Sequence, residues 1–101
     1  MKQIINGKLY NTETAKLIGG QGNGLGWNDF RNIDEDLYQK KTGEFFLAGE
    51  GGALTKYAEV TEHGSCAGSG IFPLTEDEAR KWVEKYLDVD TYIELFGEPE
   101  E

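Results

Sequence analysis

A single cysteine, Cys66, excludes an internal disulfide and agrees with a reducing compartment. Only one histidine, His63, accompanies it, so the pair supplies two of the four ligands that a structural zinc needs; a carboxylate such as Glu59 or Glu62 would have to complete any site. No stretch reaches the roughly 20 apolar residues of a membrane span, and Met1 to Tyr10 lacks the apolar core of a signal peptide, so the expected location is cytoplasmic, with no membrane partner. Basic residues are also scarce: 10 Lys and Arg stand against 19 Asp and Glu, a net charge of −9. Such a chain repels nucleic acid, whose recognition needs cations at the phosphates, and direct nucleic-acid binding is not expected.

Recognised chemical motifs are missing too. The series Gly20, Gly22, Gly24, Gly26 and the group Gly49, Gly51, Gly52 fit neither a P-loop nor a dinucleotide-binding turn, and read as turns or loops. Asp34-Glu-Asp36 lacks the ligand alternation and terminal glutamate of an EF-hand. His63-Gly-Ser-Cys66 holds the residue types of a thiol nucleophile and its base, but a three-residue spacing in a loop guarantees neither facing geometry nor a third orienting group. No catalytic residue, metal or cofactor is assigned, and a binding protein is expected rather than an enzyme.

What the sequence does contain is enough apolar material for one core: hydrophobic residues make up 38% of 101 residues and aromatic ones 12%. The expected organisation is one domain over residues 1–97 with an acidic tail at 98–101. Asn6-Gly7 between Lys2-Gln-Ile-Ile5 and Lys8-Leu-Tyr10 predicts a tight hairpin. Asn11 or Thr12 predicts the cap of a short helix through Ala15 and Ile18, ended by Gly19-Gly20, with a glycine-rich loop to Gly26. A second hairpin is predicted from Asp36–Lys40 and Glu44–Ala48 around Lys41-Thr42-Gly43. Its consecutive Phe45, Phe46 and Leu47 suggest a central strand covered on both sides, ended by Gly49–Gly52.

Ala53–Ala58 reads as a short helix or an irregular crossing, His63–Gly70 as a loop, and Ile71–Leu74 as a strand that Pro73 places at an edge or a strand end. Thr75 and Glu78 form a capping box, followed by Ala79, Trp82, Val83, Tyr86 and Leu87 at helical spacing. A second helix is predicted from a cap at Asp90 through Phe96 to Gly97. Strands first and periodic helices last indicate an α+β fold, a small antiparallel sheet of three or four strands with the C-terminal helices packed on one face, anchored by Trp82 and Phe96.

The charge is uneven. Residues 75–101 hold ten acidic and three basic side chains, and Glu76, Asp77, Glu84, Asp88, Asp90, Glu94 and Glu98 are the candidate partner-binding carboxylates, with Glu100 and Glu101 beyond them. Carboxylates at this density either keep the chain soluble or take the place of phosphates in a basic groove of another protein. Leu25-Gly-Trp27-Asn-Asp-Phe30 offers a second candidate surface, because aromatic residues dominate binding hot spots, although a loop folded back on the core explains Trp27 and Phe30 as well.

Three runs carry a resemblance: Ile5-Asn-Gly-Lys-x-Tyr-x-Thr-Glu-Thr-Ala15, Asp36-Leu-Tyr-x-Lys-Lys-Thr-Gly-Glu-Phe-Phe-Leu-x-Gly-Glu-Gly-Gly-x-Leu-Thr-Lys-Tyr57 and Pro73-Leu-Thr-Glu-x-Glu-Ala79. Through them most of the chain resembles small accessory proteins of phages and integrative mobile elements of Gram-positive bacteria. The resemblance brings no catalytic residues. It implies a mobile-element origin and a bacterial host cytoplasm, a setting in which small acidic proteins include anti-CRISPR inhibitors of Cas9-type nucleases. The resulting expectation is a protein that binds and inhibits a host defence nuclease by competing with nucleic acid at a basic groove. The alternatives are a small-ligand or metal-binding accessory module built on Gly49–Gly52 and His63–Gly70, and a protein–protein adaptor using Trp27 and Phe30.

Overall fold

Asn6 and Gly7 both adopt left-handed backbone, with φ of 51° and 79°, and so close the tight turn that their sequence favours between β1 (Lys2–Ile5) and β2 (Lys8–Asn11). The computed structural model describes residues 1–26 and 28–100. After this hairpin come β3 (Lys16–Gly22), β4 (Ile33–Gln39), β5 (Phe45–Gly51), β6 (Glu59–Thr61), β7 (Gly64–Cys66), β8 (Gly68–Leu74), α1 (Glu76–Tyr86) and α2 (Val89–Phe96). The main sheet is antiparallel in the order β3-β4-β5-β8, with both helices packed against it, the expected α+β arrangement. Among the described residues no helix is long and apolar enough to cross a membrane.

Alternation along the two central strands divides the core into two layers. Leu37, Phe45 and Leu47 face Ala79, Trp82 and Val83 of α1, with Leu87, Tyr92, Leu95 and Phe96 packed around them. Phe45 and Phe96 meet at 5.6 Å between ring centres, so Trp82 and Phe96 do anchor the helical layer. On the opposite face Phe46, Ala48 and Ile71 pack against Tyr10 of the first hairpin. Phe46 is fully buried between Tyr10 and Tyr38, at 5.4 and 5.3 Å. The run Phe45-Phe46-Leu47 is thus covered on both sides in a central strand, and Pro73 lies in edge strand β8.

The predicted helix from Asn11 to Ile18 does not form. Asn11 does act as a cap, its side chain accepting from Glu13 N at 3.0 Å and its carbonyl from Ala15 N at 3.1 Å, but one turn later the chain extends into β3. Pairing with β4 satisfies the backbone of this segment, whereas Gly19 and Gly20 would weaken a helix continued through them. A register shift between Leu17 and Gly19 lets Ile18 reach the helical core. Gly19–Gly22 are therefore strand rather than loop. Gly49–Gly51 likewise extend β5 instead of ending it, and most of His63–Gly70 forms β7 and the start of β8. Ala53–Ala58 is an irregular crossing with turns.

Helix α1 begins as its sequence requires. Glu78 N donates to Thr75 Oγ1 at 3.1 Å and Thr75 N donates to Glu78 Oε1 at 2.9 Å, which completes the capping box. The cap of α2 is Asp88, not Asp90: its carboxylate accepts from Thr91 N at 2.9 Å, and Asp90 falls in the first turn. Gly97, with φ of 85°, ends the helix.

Candidate functional site

The seven candidate carboxylates of the C-terminal region are all solvent exposed, but the structure divides them. Glu76 and Asp77, in the first turn of α1, both approach Arg80, at 3.4 and 3.6 Å. Glu84 lies seven residues beyond Asp77 on the same face and makes no ion pair among the described residues. Beyond Lys85 the sequence has no further basic residue, and Asp88, Asp90, Glu94 and Glu98 follow in turn. Asp90 and Glu94 share one face of α2. Among the described residues only Glu94 of these four forms an ion pair, with Lys16 at 3.8 Å, and both side chains are largely exposed, so that pair contributes little. Hydrogen bonds from Thr91 hold the Asp88 carboxyl below the usual range, so it stays ionised at its cap position. The anionic character of the helical layer is thus concentrated at the α2 end.

Phe30 is 67% exposed. It is therefore not folded onto the core. Trp27 lies outside the described residues. The loop carrying Phe30 is cross-tied by asparagines: Asn23 Nδ2 donates to Arg31 O at 2.7 Å, and Asn32 Nδ2 donates to Leu25 O at 2.7 Å. Leu54 N donates to Phe30 O at 2.8 Å, which sets exposed Leu54 beside exposed Phe30. This approach depends on Gly52, where a Cβ would come within 2.6 Å of the carbonyl oxygens of Asp29 and Phe30.

His63 and Cys66 do not form a catalytic pair. His63 sits in the turn between β6 and β7, whereas Cys66 pairs with Glu59 at the other end of that ladder and donates to Glu59 O at 3.5 Å. Three residues of extended chain, about 10 Å at roughly 3.3 Å each, separate them. His63 instead lies 3.8 Å from Glu62.

The strongest charged constellation was not among the candidates. Glu35 is 3% exposed, on the helix-facing side of β4, and both carboxylate oxygens are fully engaged. Oε1 accepts from Gln21 Nε2 at 2.8 Å and Trp82 Nε1 at 3.0 Å; Oε2 accepts from the Tyr57 hydroxyl at 2.7 Å and has Lys56 Nζ at 2.9 Å. Burial pushes this carboxyl up, but the four donors outweigh it and hold it below the usual glutamate range. Burial, then the hydrogen bond to Glu35 and its charge, push the Tyr57 phenol well above its usual value and keep it protonated. With its lone pairs occupied, Glu35 has no capacity left to act as a base or metal ligand; it joins β3, β4, the crossing at Lys56-Tyr57 and α1. Its signal in the sequence was period-two alternation, which puts Glu35 on the same face as Leu37.

On the opposite face of the sheet Asp34 lies directly across from Glu50, with Asp36 two residues along. Burial, followed by the charge of Asp34, raises the Asp36 carboxyl. Among the described residues no group of three or more His, Cys, Asp or Glu side chains is arranged to hold a metal ion.

Fold and surface together define a sheet-and-helix protein with one buried carboxylate, Glu35, satisfied from within, and with exposed carboxylates along and after its last helix. No family model matches the chain, and neither a curated protein nor a solved structure matches it.

Proposed function

We propose that this protein binds a basic groove on a nucleic-acid-handling partner, and that it acts as an inhibitor of a host defence nuclease of the Cas9 type by occupying the place of guide RNA or target DNA. The observation that carries this reading is the run of exposed carboxylates Asp88, Asp90, Glu94 and Glu98, of which Glu94 alone is ion-paired, with Lys16, among the described residues. Carboxylates spaced along a helix face offer the charge, though not the geometry, of a phosphate backbone, and a basic groove with displaced counterions attracts them. Exposed Phe30 and Leu54 lie by Gly52, at the end of the sheet away from the Lys16–Glu94 pair, and form no part of this face.

The test is capture of the purified protein by a Cas9-type nuclease, with and without guide RNA, at low and high salt. Capture is expected at low salt, weakened by guide RNA or by raised salt. Absence of capture at both salts, or capture indifferent to salt, counts against the reading.

A small-ligand module is the second reading. It draws on a cleft of about 750 Å³ walled by Gly51, Gly52, Gly68, Ser69 and the carboxylates Glu50 and Glu59, at the two loops singled out in the sequence. That lining favours a cationic or hydroxyl-rich ligand over a phosphate. Saturable shifts of the Gly51, Gly52 and Ser69 amides on adding such a compound are the expected signature, and none appears if the protein is solely a macromolecular binder.

A further inference from the structure

We infer that the groove where α1 ends and α2 begins is a docking site for a short partner segment that combines one apolar side chain with flanking Arg or Lys. The inference rests on the proposed function and specifies which part of a basic partner is held. The groove has a volume of about 230 Å³; Leu87, Val89, Tyr92 and Pro99 give it apolar walls over the fully buried Val83, and Glu84 and Asp88 stand at its rim. At roughly 30 Å³ per water this is room for about seven or eight waters, enough for one or two aliphatic or aromatic side chains but not for a folded element.

Two features identify the occupant. Val89, the first residue of α2, is 71% exposed, an apolar β-branched side chain at a position that a polar residue would fill equally well for the helix. The rim also carries two carboxylates that no cation contacts among the described residues, with Lys81 and Lys85 one turn before them on α1. Glu84 makes no ion pair among the described residues, and Asp88 uses Oδ1 to cap Thr91. No basic residue follows Lys85, and Asp90 adds a further negative charge in the next turn. An apolar side chain entering this groove brings its neighbours to the two carboxylates, so an acidic or neutral segment gains nothing there and a basic one gains two charge-assisted contacts. This surface differs from the acid-only attraction of the α2 face because it requires an apolar anchor.

The probes are three synthetic peptides with identical Gly-Ser flanks: one with a Leu-Ile pair between two Arg pairs, one with Gly-Ser replacing Leu-Ile, and one with Glu replacing Arg. Titrated into the ¹⁵N-labelled full chain at low salt, the first is expected to shift amides between Val83 and Tyr92 and to bind at least tenfold more tightly than either control. Val89→Arg should reduce that affinity at least tenfold, and Glu84→Arg, on the exposed face of α1, provides an independent second variant. Equal binding of the Leu-Ile and Gly-Ser peptides, or shifts centred elsewhere, overturns the inference. The two readings separate cleanly with the nuclease. If Val89→Arg is captured like the parent while Asp90→Lys with Glu94→Lys is not, the groove inference fails and the acidic-face reading stands. If the nuclease is not captured but the first peptide occupies the groove, the acidic-face reading fails and the groove inference stands.

Discussion

Glu35 shows how a buried charge is made tolerable. A carboxylate taken out of water costs several kcal/mol unless every lone pair is used, and here Gln21, Trp82, Tyr57 and Lys56 use them all. Glu35→Gln keeps the shape but aims an amide N–H₂ at one of the donor pairs and removes the charge facing Lys56. The expected loss is about 3 kcal/mol, measured by urea unfolding near neutral pH, with Trp82→Phe costing less, about 1–2 kcal/mol, because a single neutral donor disappears. The same carboxyl sets a direction with pH. Its folded-state value lies below the ordinary 4.5, so the stability it contributes is complete above that value and is lost as pH falls through the lower, folded-state one. Wild-type stability is expected to fall more steeply below about pH 4.5 than that of Glu35→Gln; parallel acid limbs would show that Glu78, Asp88 and the other depressed carboxyls account for the whole effect. The residue was difficult to read in sequence because Asp34-Glu35-Asp36 looks like a solvated acidic run, and only strand alternation distinguishes the buried member from its neighbours.

Elements whose signals are local were legible, and those decided by distant pairing were not. The capping box at Thr75 and Glu78 and the turn at Asn6-Gly7 each involve residues no more than three apart, and both form as their sequences indicate. The segment after Asn11 carries an equally local cap, yet six residues paired with β4 outweigh it. Nothing within that segment announces β4. The shift of the α2 cap from Asp90 to Asp88 is a smaller case, since either aspartate can cap and the choice follows from where α1 releases the chain at Leu87. The binding candidates were legible as a set, whereas the approach of Glu76 and Asp77 to Arg80 and of Glu94 to Lys16 depended on geometry. Because α1 carries Trp82 and Val83 into the core, fraying its start should be felt globally. Thr75→Ala is expected to lower unfolding free energy by about 1 kcal/mol, and adding Glu78→Ala should cost less than a second independent loss, since both substitutions dismantle one reciprocal pair. A double-mutant cycle by thermal or urea unfolding measures the coupling.

For the whole molecule, the question is whether its charge of −9 acts as a diffuse field or through a particular face. A diffuse field predicts that binding to a basic partner follows net charge wherever carboxylates are removed. A face predicts that position decides. Glu76 and Asp77 approach Arg80, so neutralising them as Glu76→Gln with Asp77→Asn removes charge that is already partly balanced. Asp90→Asn with Glu94→Gln removes the same formal charge from the α2 end, where Glu94 alone is ion-paired, with Lys16, among the described residues. None of these side chains is buried, so both double variants should fold. At about 0.1 M salt, where screening acts over roughly 10 Å, the α2 pair is expected to weaken capture by a Cas9-type nuclease about tenfold and the α1 pair less than threefold. Near 1 M salt, where that length falls to about 3 Å, the difference should disappear as binding itself is lost. Equal losses from the two pairs at low salt would mean that the carboxylates act through net charge alone, and the α2 end would then have no claim to be the contact surface.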